Sequence, residues 1–148
     1  MNSNEIKTML STDNDVICRK YVFNNKTAFS CLGAGRVVYL KKFISILPST
    51  EQCFIDRDLL TKQYFEQCNM FICKRTIIEA YFDWFLRYAI TFTSKELMKS
   101  PRIIGYISEY VFGSWLKLHA YNIKYVKVKE YDKVKEYDKA VNKVLFWF

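Results

Sequence analysis

Arg102 to Leu118 is the segment that most restricts what this chain can fold into. Ile104, Ile107, Val111, Trp115 and Leu118 recur at three- and four-residue spacing, which predicts a helix with one buried face. Ser100 reads as its cap and Pro101 as its first turn. A polar row interrupts this helix. At about 100° per residue, Arg102, Gly105, Tyr106 and Glu109 fall on one face. Gly105 lies one turn before Glu109 and Gly113 one turn after it. Glycine costs a helix interior roughly 1 kcal/mol against alanine. Two glycines flanking one carboxylate suggest a close approach to that carboxylate. The same pattern also serves helix–helix packing through small residues, with Arg102 and Glu109 solvated.

The rest of the chain reads as alternating helices and strands. Asn2 to Glu5 starts a helix with Ile6, Met9 and Leu10 on one face. Asp15 to Cys18 predicts a short strand, and the polar residues 20–34 a loop. Gly35 to Leu40 predicts a strand, then Lys41 to Leu47 a helix that Pro48 stops. Ser49-Thr50-Glu51-Gln52 has the form of a capping box for a helix reaching roughly Gln63. Residues 68–73 form the clearest strand. Thr76-Ile77-Ile78-Glu79 is a second capping box, after which Ile77, Ala80, Tyr81, Trp84 and Tyr88 keep helical spacing to about Ile90. Ile123 to Val128 alternates as a strand.

The tail differs in texture. Lys-Val-Lys-Glu-Tyr-Asp occurs at 127–132 and again at 133–138, a duplication too short for a solenoid repeat. Val134, Tyr137, Val141 and Val144 predict a basic helical tail over 129–148, apart from a domain over 1–128. The closing Leu145-Phe146-Trp147-Phe148 either folds back onto the core or touches a membrane interface.

With 148 residues, half of them apolar, the chain is long enough for one buried core. A net charge of +8 favours anionic partners such as nucleic acid, lipid headgroups or sugar nucleotides, without choosing among them. Nucleic acid is disfavoured: no recognition motif is present, and the tail lysines interleave with Glu130, Asp132, Glu136 and Asp138. Five cysteines, none in a Cys-x-x-Cys pair, and the single His119 argue against a zinc site. They suit reduced, mostly buried thiols of a cytoplasmic protein. No apolar run approaches the ~20 residues that cross a bilayer. A nucleophile elbow and a phosphate loop are both absent. Asp13-Asn14-Asp15 has the Asp-x-Asp form of a metal motif, but it precedes an apolar stretch and reads as a turn. Lys74-Arg75 reads as a solvated pair at a helix start, or as a pyrophosphate contact.

Asn69-Met70-Phe71-Ile72, the basic pair after it, the helix carrying Tyr81 and Trp84, then Arg102, Gly105, Ser108-Glu109 and Trp115 together resemble a bacterial family. That family is the domain of unknown function 4422, associated with glycosyl transfer in capsular and exopolysaccharide synthesis. The resemblance runs from about Glu5 to Val128 and is densest from Asn69 to Trp115. It implies an α/β fold: a partial, helix-rich, Rossmann-like (GT-A-type) nucleotide-sugar transferase domain with a few strands. It implies a nucleotide sugar and a glycan acceptor as substrates; the expected location is cytoplasmic, with a peripheral contact at the inner face of the cell membrane as an option. Family members begin with a donor-binding half that carries a Gly-Asp-rich stretch and a His-Tyr-Arg-Arg-Tyr-Phe run. Neither occurs here, so the resemblance is to a carboxy-terminal half: a truncated gene product, a split enzyme completed by a donor-half partner chain or self-association, or a degenerate copy. No cofactor is expected in this chain; a divalent metal belongs to a complete enzyme. The family usually has a basic residue just after the motif glutamate, where this chain has Tyr110.

Glycosyl transfer needs a cradle for the diphosphate, a pocket for the acceptor and, in inverting enzymes, a carboxylate base. On this resemblance Glu109 is the catalytic base or an acceptor ligand. Arg102 steadies a phosphate or hydroxyl through its planar fork, Asn69 hydrogen-bonds a sugar, and Tyr106 shares the substrate-binding face. No metal ligand is expected. The competing reading is a non-catalytic basic interaction protein that binds a membrane surface or a protein partner.

Overall fold

The computed structural model describes residues 4, 8, 14–22, 26–32, 34–91 and 102–126. Their elements run β1 (Val16–Val22), α1 (Ala28–Cys31), α2 (Ala34–Ser45), α3 (Ser49–Thr61), β2 (Tyr64–Cys73), α4 (Arg75–Ala89), α5 (Ile103–Leu118) and β3 (Ile123–Val126). Among the described residues this is a helix-rich α/β arrangement around a three-stranded mixed sheet of order β2-β1-β3. β1 pairs antiparallel with β2 and parallel with β3. It is the central strand, and Val16, Ile17 and Cys18 are accordingly buried.

Asp15 pins one end of this sheet. Its carboxylate accepts from Lys74 Nζ at 2.7 Å and from the Asn122 backbone N–H at 3.1 Å. One side chain therefore ties the starts of β1 and β3 to the end of β2. The Lys74 hydrogen bond, then the one from Asn122, hold the Asp15 carboxyl below its ordinary range. Asp15 thus serves the fold, as a turn residue would; Asp13 lies outside the described residues.

The core is aromatic. Tyr81 of α4 lies edge-on to Phe112 and Trp115 of α5, with centroids 4.8 and 5.2 Å away. Phe43 of α2 reaches Phe85 of α4 at 5.2 Å. Such pairs add about 0.5–1.5 kcal/mol each beyond their buried area. Some apolar side chains stay exposed: Phe82 and Leu86 of α4 and its C-cap Ile90, one turn apart.

The structure departs from the sequence reading in several places. Gly35 to Leu40 is not a strand but the first half of α2. Leu40, Phe43 and Ile44 are buried at helical spacing, with Val37 packed beside them. Neither capping box forms. Ser49 is already helical behind Pro48, and Glu51 instead accepts from Trp84 Nε1 at 2.8 Å. Helix α4 starts at Arg75, whose guanidinium pairs with Glu79 at 2.6 Å. Along α4, Phe85 and Ala89 are buried where Ala80 was expected. Arg102 holds the cap position of α5, while Ser100 and Pro101 lie outside the described residues. β1 reaches Val22, and the predicted loop also holds α1, fixed by a Thr27–Ser30 capping box. β2 begins at Tyr64, earlier than predicted. Of the cysteine side chains described, Cys18 is buried, Cys73 half-buried and Cys53 exposed. The helix expected from Asn2 is described only at Asn4 and Thr8, both helical. The tail from 127 onward, with its hexads and aromatic end, lies outside the described residues.

Candidate functional site

The first half of α5 carries the polar row. Glu109 is half-buried, and burial pushes its carboxyl above the ordinary glutamate range while the Arg36 charge works against that shift. Arg36 comes from α2, and its guanidinium lies 4.2 Å from the centroid of the Tyr106 ring. The cation acting on Glu109 is therefore Arg36. Arg102 sits at the exposed cap of α5. Sequence reasoning missed Arg36 because it placed residue 36 in a strand.

The two glycines do different things. A Cβ built on Gly105 meets nothing within 4 Å, so open space lies beside Tyr106 on the Glu109 row. A Cβ on Gly113 would run into the Glu66 carboxylate. Gly113 thus makes room for a buried partner on β2 rather than clearing Glu109. Behind the row, the Tyr81 hydroxyl donates to the Ser108 carbonyl at 2.8 Å and lies 3.0 Å from Ser108 Oγ. This bond fixes α5 against α4 next to Glu109.

Asn69 is inside β2 rather than at its start; its side chain lies outside what the structure describes. The β1–β2 register shifts around it. Cys18 faces Phe71 and Lys20 faces Glu66, so β2 takes five steps (71 to 66) against two on β1 (18 to 20). Irregularities of this kind re-aim side chains and are common beside sites. Two residues on, Phe71 stacks on Phe112 of α5 at 4.4 Å. Asn69 and Glu109 therefore sit on elements packed together; no contact between them is shown.

A second polar cluster occupies the other half of α5, and none of its members was singled out from sequence. Lys62 and Glu66 are 6% and 4% exposed. Lys62 Nζ donates to Glu66 Oε2 at 3.1 Å, lies 3.3 Å from Asp58 Oδ2, and reaches Ser114 Oγ at 3.4 Å. Ser114 and Lys117 donate to the two Asp58 oxygens at 2.6 and 2.8 Å. Tyr125 of β3 donates to Glu66 Oε1 at 3.1 Å. Burial alone would raise the Asp58 carboxyl, but Lys62, Lys117 and Ser114 together bring it below its usual value. Burial and the neighbouring Glu66 charge push the Cys18 thiol up to about 12, which makes it unreactive. These groups satisfy one another, so the cluster joins α3, β2, α5 and β3. The four-residue spacing of Asp58, Lys62 and Glu66 was visible in the sequence, but Glu66 falls past the predicted helix end near Gln63, on β2.

The depressed Asp58 value gives a pH expectation. Its stabilising effect is present above the unfolded carboxyl value of about 3.9 and is lost as pH falls through the lower folded value. Urea unfolding between pH 7 and pH 3 should show stability falling at the acid end, and Asp58→Asn should flatten that fall. An identical acid slope in the variant would show that other carboxylates set it.

Among the described residues, no group of His, Cys, Asp and Glu has the arrangement to hold a metal ion, and no helix is long and apolar enough to cross a membrane. His119 lies exposed at the end of α5 against Trp115, at 4.6 Å, a surface role. The fold and the Glu109 row define a helix-rich α/β domain with a half-buried carboxylate beside open space. The chain belongs to the family of the domain of unknown function 4422, whose model matches residues 1–122. No curated protein and no solved structure matches it.

Proposed function

We propose that this chain is the acceptor-side portion of a glycosyltransferase-like protein of surface polysaccharide synthesis, built on a GT-A-type fold. It moves a sugar from a nucleotide sugar to a glycan acceptor. Glu109 takes the acceptor proton or holds the acceptor hydroxyl, Tyr106 and Arg102 border the substrate, and Asn69 contributes from β2. The observation that carries this reading is the half-buried Glu109 carboxyl, held above its ordinary range next to Arg36 and on the same row as the open space at Gly105. A base works best when its pKa approaches the working pH, and burial moves a glutamate in that direction. The basic charge near the motif glutamate comes from α2 instead of position 110, where Tyr110 is buried.

The test uses the chain supplemented with the donor-binding half of a family member, a panel of sugar nucleotides, and magnesium or manganese. Glu109→Gln should cut turnover ~100-fold or more if Glu109 is the base, and should act mainly on KM if it is an acceptor ligand. Folding raises the Glu109 value, so its ionisation opposes folding. Its contribution is fully present below the unfolded value and is lost as pH rises through the folded one. The melting temperature of Glu109→Gln at neutral pH should therefore be unchanged or slightly higher. Turnover should fall as pH drops through the Glu109 value. Arg36→Gln, which removes the opposing charge, should move that acid limb to higher pH. Full activity in Glu109→Gln would remove the carboxylate from the reaction. Absence of turnover with every donor would favour the basic interaction protein.

A further inference from the structure

We propose that the cleft between α2 and α3 is a binding site for a neutral polyhydroxylated ligand, a saccharide unit. This rests in part on the transfer reading, since a glycan acceptor is a chain of such units, but the chemistry of the cleft argues for it separately. The cleft has a volume of about 400 Å³ and is lined by Lys41, Ile44, Ser49, Gln52, Cys53 and Asp56. That volume is in the range of small-molecule sites.

Ser49, Gln52, Cys53 and Asp56 follow i, i+3, i+4, i+7 spacing and share one face of α3. The opposite side of that helix buries Ile55 and Leu59 in the core, which fixes the polar face toward the cleft. Among the described residues, no internal side-chain hydrogen bond engages Ser49, Gln52 or Asp56, so their capacity is free for a ligand. Lys41 and Asp56 bring one charge of each sign. A net anion would meet Asp56 and a net cation would meet Lys41, so a neutral ligand fits best. Such a ligand must both donate and accept. Lys41 only donates, ionised Asp56 only accepts, and Ser49 and Gln52 do both. This is the complement of vicinal hydroxyls. Buried Ile44 supplies an apolar wall for a sugar's C–H face. None of the described lining residues is aromatic, so they offer a nucleobase no stacking partner.

Cys53 is an exposed free thiol on the rim and reports on occupancy. In the full chain, the rate of Cys53 alkylation by iodoacetamide would be followed by peptide mass spectrometry. The probes are methyl glucoside, methyl galactoside, N-acetylglucosamine and lactose, with inorganic phosphate as the anionic comparator. At least one saccharide should slow alkylation several-fold, with an apparent Kd of about 1 mM, typical of weak binding. Asp56→Ala should weaken that protection about tenfold, as expected on losing a charge-assisted hydrogen bond. Gln52→Ala should weaken it less, and both variants should keep the parental melting temperature. Protection by phosphate instead of sugars, no protection by any saccharide, or protection unchanged in Asp56→Ala would each overturn the proposal. Because the readout needs no turnover, sugar protection without transfer would sink only the enzymatic reading. Transfer that depends on Glu109 without protection would sink only the cleft.

Discussion

Gly113→Ala is expected to destabilise the fold by about 3–5 kcal/mol, whereas Gly105→Ala should stabilise it by up to about 1 kcal/mol. The two positions lie on the same helix, and the substitution removes the same helical penalty at each. What differs is the neighbour. A methyl at position 105 enters open space; at position 113 it meets the Glu66 carboxylate. A glutamate on the surface would swing aside. Glu66 is 4% exposed and held by Lys62 and Tyr125, each at 3.1 Å. Moving it breaks both bonds and leaves a 4% exposed carboxylate without its donors. Urea unfolding of the two variants measures the contrast. Similar small effects at both positions would mean that Glu66 has an alternative seat.

Lys62→Met should cost about 3–5 kcal/mol, the range for removing one partner of a buried ion pair. Against a typical domain stability of 5–15 kcal/mol, that leaves the chain marginal. Lys62 stands between two carboxylates, Glu66 at 3.1 Å and Asp58 at 3.3 Å. Without it, Glu66 keeps the Tyr125 hydroxyl as its hydrogen-bond donor among the described residues, with the Lys117 charge acting on it through space, while Asp58 retains Lys117 and Ser114. The double variant Lys62→Met/Glu66→Gln should therefore recover more than half of the loss. The neutral amide still accepts from Tyr125 and no longer buries a lone charge. Failure of the second change to rescue would place the effect of Lys62 in packing of its alkyl stem.

Helices α4 and α5 were legible in the sequence because their apolar residues repeat with a strong helical period: Ile77, Tyr81 and Trp84 on one, Ile107, Val111 and Trp115 on the other. Helix α2 was not. Val37 and Val38 are β-branched and follow a glycine, which locally favours a strand, and only packing of Leu40, Phe43 and Ile44 against the other helices decides for helix. β2 was read short because Glu66 and Gln67 are polar, and a polar residue in a buried strand makes sense only once its partner is known. The Glu109 row was legible from helical geometry alone. Its electrostatics were not, because Arg36 is more than seventy positions upstream. Gly113 shows the same limit: spacing placed it beside Glu109, but the atoms that press on it belong to another element.

The parallel pairing of β1 with β3 sets a schedule for biosynthesis. Val16 to Arg19 find their partners only at Ile123 to Val126, and the clamp between Asp15 and Asn122 spans 107 residues. A ribosome adding about 5–20 residues per second needs roughly 5–20 s to supply that partner. During this interval one edge of the central strand lacks its partner β3, and an unpaired edge is a template for a foreign strand. The antiparallel pairing of β1 with β2 can form earlier and shields only the other edge. Yield from fast expression at high temperature should therefore be limited by events before residue 123 emerges, and slowing translation or supplying a holding chaperone should raise it.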